Sequence, residues 1–281
     1  MDAAIVSALD ATAIRHETPC GEGTLVWRQW GSGPPVVLAH GAQGSWKHFI
    51  RNIAALAAHQ TVLAVDLPGH GQSALPPEPH EHATIALALA EGLRRIMGEH
   101  LPVDLVGFSF GASALAHLAA WHPEVARRLI IIGAGGLGTP AGDIRIGPAR
   151  GLTGEARKAQ LRANLLGLML HHPDSADDLA VHLLETDARL ARMHVPGLVM
   201  PDRLIRILPQ LACPVDAIWG EFDRPHPDPA HHHAILRGID TGAEMQVIAG
   251  AGHWAMFENA AAFNAALLKM LQQMLRSKIT P

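Results

Sequence analysis

The 281-residue chain contains no tyrosine, and aromatic residues make up only 4% of it. A phenolic hydroxyl is therefore excluded as an oxyanion donor or proton carrier. Cysteine is almost as scarce: Cys20 and Cys213 stand alone and far apart. Two such thiols form neither a disulfide framework nor a metal-binding spacing, so both are expected to be inert. Charged residues are 17% of the chain, with a net charge of −4 and no long basic run, which argues against a nucleic-acid partner. No apolar run reaches about 18 residues, the length a membrane-spanning helix needs. The start of the chain lacks the basic-then-apolar pattern of a secretion signal. A soluble, cytoplasmic protein with no membrane partner is the expectation.

What is plentiful is apolar residues, 48% of 281 positions. That is enough to bury the core of one large domain, or of a domain with an insertion. The pattern alternates. Short apolar runs at Pro35–Ala39, Thr61–Val65, Val103–Val106, Leu129–Ile132, Val215–Trp219 and Met245–Ile248 read as buried strands. Leu25–Trp30 alternates like a half-buried strand. Between the strands, Trp46–Ala58, Ile85–Met97, Ala112–Trp121, Pro229–Arg237 and Glu258–Arg276 read as helices. Residues 1–22 read as a weakly patterned arm with a short helix near Ile5–Ile14. Wholly apolar strands alternating with helices predict an α/β fold, a mostly parallel, doubly wound sheet covered on both faces. From about Arg150 to Leu208 the strand signal stops. Helical stretches at Glu155–Leu170, Ser175–Met193 and Asp202–Leu208 predict a helical cap at 139–208, inserted between core segments 1–138 and 209–281.

In such a sheet, functional loops belong at the carboxyl ends of the strands. One of them is Gly107-Phe108-Ser109-Phe110-Gly111, between an apolar strand and an Ala-rich helix. A serine at that corner sits on a tight turn at a helix N-terminus, where developing negative charge is favoured. The pentapeptide alone is a weak signal, because a glycine-rich turn with a serine cap looks the same. A serine hydroxyl also needs a base, and the base needs an orienting acid. Among 19 histidines, position singles out His253, in Gly250-Ala251-Gly252-His253-Trp254 after the last strand. Asp223, in the loop after the preceding strand, is the preferred acid over Glu221 and Asp228. The order Ser, Asp, His is the one this template requires. Two backbone donors are expected for the oxyanion: the N–H of Phe110, and that of Ala42 in the loop His40-Gly41-Ala42.

These motifs, with Asp66-Leu67-Pro68-Gly69-His70-Gly71-Gln72-Ser73 and Gly220–Pro225, resemble the α/β-hydrolase superfamily over the whole chain except the cap. The resemblance implies that Asp66–Ser73 is a structural turn near the site. Trp46-Lys47-His48-Phe49-Ile50-Arg51-Asn52 and the pair His253-Trp254 resemble meta-cleavage-product hydrolases, which cut carbon–carbon bonds in dienoic acids. The elbow departs from theirs, with Phe108 and Phe110 in place of Asn and Met, and so does the oxyanion loop, with Ala42-Gln43. In those enzymes a cap arginine holds the substrate carboxylate, which makes Arg189 and Arg162 candidates here.

The expected function is thus a serine hydrolase cleaving a carboxylic ester or related acyl bond of a small organic substrate. The alternative is a carbon–carbon hydrolase of a vinylogous keto acid. A non-catalytic binding protein on the same fold is disfavoured by the complete set of three side chains. Dehalogenases and epoxide hydrolases are disfavoured because they place Asp at the elbow. Substrate contacts are expected from His40, Phe108, Trp254 and Arg189. Leu165, Leu168, Met169 and Leu170 suggest an apolar acyl or alkyl site. His231-His232-His233 mimics a metal site, but consecutive helical residues point about 100° apart and cannot converge on one ion; a solvated face is expected, and His171-His172 is similar. No metal and no cofactor is expected, and the protein is expected to be a monomer or homodimer.

Overall fold

The computed structural model describes residues 2–199, 201–273 and 277–279. In chain order the elements are α1 (Asp2–Asp10), β1 (Ile14–Cys20), β2 (Gly23–Trp30), β3 (Pro35–Ala39), α2 (Ile53–Ala57), β4 (Thr61–Val65), α3 (His82–Met97), β5 (Val103–Phe108), α4 (Phe110–Trp121) and β6 (Ala126–Ile132). Then follow α5 (Gly154–Leu168), α6 (Asp178–Ala188), α7 (Pro196–Val199), α8 (Arg203–Ile207), β7 (Val215–Gly220), α9 (Pro229–Arg237), β8 (Met245–Ile248), α10 (Ala255–Glu258) and α11 (Ala260–Gln272). The eight strands form one sheet in the order β1-β2-β4-β3-β5-β6-β7-β8. Both pairings of β2, with β1 and β4, are antiparallel, and all others are parallel.

The pleat divides the apolar strands between two cores. Val37, Leu105, Leu129, Ile131, Ala217 and Trp219 face α3, α4, α8 and α9. Val36, Leu38, Val106, Ile130, Ile132 and Ile218 face the opposite layer, built on α2, α10 and α11 and joined by Leu161 and Leu165 of α5 and Leu179 and Leu183 of α6. A strand buried on both faces has no polar side to alternate with, which is why these runs are continuously hydrophobic.

Three details differ from the sequence reading. The N-terminal arm contains β1, an edge strand whose side chains are mostly exposed, so it carried no hydrophobic pattern. Trp46–Ala58 is not one helix: a 3₁₀ turn at Trp46–Phe49 gives way to α2. Asn52 at the break sends its carboxamide N–H groups to Met256 O and Asn264 Oδ1, both at 2.8 Å. The closing helix is split into α10 and α11, joined at Asn259; residues 274–276 of the expected helix lie outside the described residues. Between β6 and β7 the described elements are all helical, but α7 and α8 pack against α4 through Leu198, Leu204 and Ile207. No helix among the described residues is long and apolar enough to cross a membrane.

Candidate active site

The tight turn after β5 is forced by packing. A Cβ on Gly107 would lie 2.6 Å from Ala112 Cα, and one on Gly111 would lie 2.3 Å from Ala39 O. Both positions are closed to any side chain, and α4 is thereby pressed against the end of β3. Ser109 between them adopts φ 51°, ψ −114°, a conformation that L-residues avoid and that the surroundings must impose. Its N–H donates to Ile132 O at 2.9 Å, so the serine is tied to β6 while its side chain stays half-exposed. Phe110 opens α4, so its N–H has no partner within the helix.

The loop after β3 lies against this corner. A Cβ on Gly41 would sit 3.2 Å from Ser109 Cβ and 3.0 Å from the Phe108 ring. The Gly44 N–H closes a turn onto Gly41 O at 3.3 Å, and Gln43 takes φ 55°. Exposed Ala42 sits at the tip. His40, expected to touch substrate, is instead fully buried. Its Nε2 accepts the Leu67 N–H at 2.9 Å and its Nδ1 donates to Gly41 O at 2.7 Å. Both nitrogens hold backbone, and burial pushes the ring's pKa well down, so it stays neutral. His48 was not foreseen: its Nδ1 accepts the Gly41 N–H at 3.2 Å. Burial, followed by the neighbouring His253 and Lys47, lowers its pKa to about 3.

Asp223 and His253 meet as expected. Asp223 Oδ2 accepts from His253 Nδ1 at 2.8 Å, and Asp223 Oδ1 accepts the His226 N–H at 2.8 Å. Their side chains are 0% and 5% exposed, so little water competes for the bond. The alternatives are engaged elsewhere. Glu221 accepts from the Gly250 N–H at 2.9 Å, and Asp228 caps α9 through the His231 N–H at 3.1 Å. The His253 ring stands 4.8 Å from the Phe108 ring, next to the serine. A Ser109–His253 hydrogen bond is not formed among the described residues; such bonds commonly tighten only when substrate binds. His226 lies 5.4 Å from the His253 ring, its pKa lowered to about 4 mainly by burial, so it adds no positive charge beside it.

The loop carrying His253 is clamped. Glu258 accepts N–H groups from Gly252 at 2.7 Å, His171 at 2.9 Å and His172 at 2.7 Å, while the Trp254 N–H donates to Met169 O at 2.7 Å. The Trp254 indole, expected at the substrate, is buried and donates to His48 O at 2.8 Å. Phe108 is likewise buried, its ring 5.4 Å from His48.

A cavity of about 520 Å³ is lined mainly by α5 and α6, with Leu161, Leu165, Leu168, Met169 and Leu184 on its apolar side and Arg150, Arg157, Asn164, Glu185 and Arg189 on its polar side. Gln43 of the β3 loop also lines it, whereas Ser109, Asp223 and His253 do not. Arg189 stands at its rim, 68% exposed and paired with Glu185 at 2.7 Å. Arg162 pairs with Asp178 on the outer surface. The three consecutive histidines go three ways: His231 is exposed, His232 is buried on Trp219 at 4.7 Å, and His233 Nε2 contacts Ala243 O at 2.9 Å. Only His231 thus lies on the solvated face foreseen for all three. Cys20 and Cys213 are buried, which pushes both thiols up to about 11.

Known proteins agree with this architecture. The chain is 31% identical over 274 residues to a 2-hydroxy-6-oxononadienedioate/2-hydroxy-6-oxononatrienedioate hydrolase of Paraburkholderia phymatum, covering 92% of this chain and 90% of that protein. An esterase from a Rhodococcus species superposes with a TM-score of 0.73 at 20% identity, covering 92% of this chain and 98% of its own. A carboxylesterase from Bacillus subtilis does so with a TM-score of 0.71 at 18% identity, covering 96% and 98%. The sequence model of the alpha/beta hydrolase family matches residues 36–266, and the chain belongs to that family.

Proposed function

We propose that the protein is a serine hydrolase cleaving a carboxylic ester, or a related acyl bond, of a small and largely apolar molecule. One observation carries the reading: the 2.8 Å bond from His253 Nδ1 to Asp223 Oδ2. With Nδ1–H committed to the carboxylate, Nε2 is left as the basic nitrogen. Ser109 attacks the carbonyl carbon. His253 takes the hydroxyl proton and returns it to the departing alcohol, while Asp223 stabilises the imidazolium. The N–H groups of Ala42 and Phe110 receive the oxyanion. Water, deprotonated by the same imidazole, then frees the acid and restores Ser109. Residues 139–208 act as the cap, with α5 and α6 over the site and α7 and α8 moored to α4. The cavity's leucines suit an apolar acyl chain.

Carbon–carbon cleavage is the second reading. The name of the 31%-identical relative, a 2-hydroxy-6-oxononadienedioate/2-hydroxy-6-oxononatrienedioate hydrolase, favours it, as do the Trp46–Asn52 stretch and the His253-Trp254 pair. Arg157 and Arg189 share Glu185, each at 2.7 Å, and Arg162 pairs with Asp178, so these three already have carboxylate partners, which favours the ester; Arg150, which also lines the cavity, has none among the described residues and is the cap arginine left for a substrate carboxylate. The test is turnover of p-nitrophenyl esters of rising chain length beside a vinylogous keto-dienoate. Activity on the dienoate alone would reverse the ranking. Ser109→Ala should abolish burst acylation, and a full burst in that variant would defeat both readings.

A further inference from the structure

At the far end of the β3 loop, two buried carboxylates reach in from different parts of the chain. Asp66, just after β4, accepts the Trp46 N–H at 2.9 Å. Asp187, in the last turn of α6, accepts the Ser45 hydroxyl at 2.9 Å and pairs with Lys47 Nζ at 2.5 Å. Lys47 also donates to Thr186 Oγ1 at 3.3 Å. Ser45 is 142 positions from Asp187, and it follows directly on the turn that carries Ala42.

Asp187 sits badly for stability. Its side chain is 1% exposed, and it lies at the end of a helix whose dipole disfavours negative charge. Burial, only partly offset by Lys47 and Ser45, raises its pKa to about 6. A neutral residue would suit the fold better. The placement makes sense if the carboxylate acts on the loop it grips.

We propose that Asp187 is a positioning residue: through Ser45 and Lys47 it couples α6 to the 41–45 loop, so that the Ala42 N–H points at the reacting carbonyl only while α6 is seated over the site. The proposal rests on the reading of Ala42 as an oxyanion donor. The charged groups facing Asp187 are Lys47 from the loop and Asp66 behind it. Asp66 is bound by Arg28 of β2 at 3.2 Å, and Arg28 in turn is bound by Asp10 of α1 at 2.5 Å. With Arg28 shared between two carboxylates, Lys47 is the cation that holds Asp187, and protonating Asp187 releases it.

The test uses Asp187→Asn and Ser45→Ala in the full chain, with steady-state hydrolysis of a p-nitrophenyl ester from pH 5 to 9. A sub-ångström drift of one oxyanion donor should lower kcat at pH 8 about tenfold in both variants and leave KM within about twofold. As Asp187 takes up its proton near pH 6, the wild type should approach the variant's rate, so the kcat ratio of wild type to Asp187→Asn should fall from about ten at pH 8 to about two at pH 5. A merely structural role would change the unfolding midpoint and leave that ratio flat with pH and the kcat-to-KM pattern unchanged; that result overturns the proposal. If Asp187→Asn fails to fold, Ser45→Ala and Ser45→Thr decide together: both keep the ion pair, alanine removes the tie along with the cap on the Lys47 N–H, and threonine, which retains a hydroxyl, should restore kcat. Failure of the hydrolase reading shows separately, as a burst that survives Ser109→Ala.

Discussion

Replacing Gly133 by alanine adds one methyl group directly against the Asp223 and His253 side chains. The new Cβ would lie 2.7 Å from Asp223 Oδ2, 3.0 Å from His253 Nδ1 and 3.2 Å from His253 Cε1. It would touch both ends of the single hydrogen bond on which the proposed chemistry depends. Unstrained contacts of a methyl carbon lie near 3.5 Å, so one partner must retreat by roughly 0.5–0.8 Å. The backbone cannot retreat instead, because the Gly133 N–H is held by Ile218 O at 3.2 Å. A displacement of about 1 Å can cost about 10²-fold in rate, and loss of imidazole orientation about 10⁴-fold. The expected fall in kcat is therefore about 10²- to 10⁴-fold. Stability also falls: alanine at φ +48° costs about 1–2 kcal/mol, and overpacking adds about 1–3 kcal/mol. Gly138→Ala is the matched control, since Gly138 has φ +76° but no atom within 4 Å of its Cβ position. It carries the backbone strain without the clash. The assay is burst amplitude and steady-state kcat on an activated ester, with urea midpoints for both variants. A folded Gly133→Ala enzyme with kcat within about threefold of Gly138→Ala would refute the reasoning.

Two further outcomes follow from the same geometry. Asp187 has an ordinary pKa of 3.8 and a folded value of about 6. The native state thus holds a proton that the unfolded chain has released, and stability drops as pH rises from about 4 to about 6. The gap corresponds to about 3 kcal/mol. Urea midpoints at pH 4.5 and 7.5 should therefore shift in favour of Asp187→Asn at the higher pH; parallel behaviour of the two proteins would contradict it. Leu168→Trp narrows the cavity under α5, and should raise KM for an octanoyl ester about tenfold, the loss of about 1–2 kcal/mol of apolar contact, with acetyl ester turnover unchanged. Equal effects on both esters would place the acyl chain elsewhere.

Much of this was legible in the residues. Continuous apolar runs announced β3 to β7 because both faces of those strands are buried. The glycines around Ser109 announced the elbow because their neighbours leave no room for a side chain. Asp223 and His253 stood out because each follows a strand at the carboxyl edge of the sheet. What the residues hid is what depends on distant partners. β1 has little buried side-chain area, so its pairing left no pattern. His40, Phe108 and Trp254 stand next to the proposed site residues in sequence, yet packing turns them inward to support the loops. Gly133, Asp187 and Glu258 carry no local motif, and His48, though inside the Trp46–Asn52 stretch, shows no role there; their significance exists only after the chain has folded.

Glu258 gathers three amide groups, one from the turn before His253 and two from the segment just beyond α5. Lifting α5 to admit an oversized guest would strip away two of those three and leave the imidazole-bearing loop with a weaker footing. Bulk would then be penalised in turnover rather than in affinity. Crowded molecules would be admitted and retained, yet processed slowly, because the proposed roof and the proposed base share an anchor.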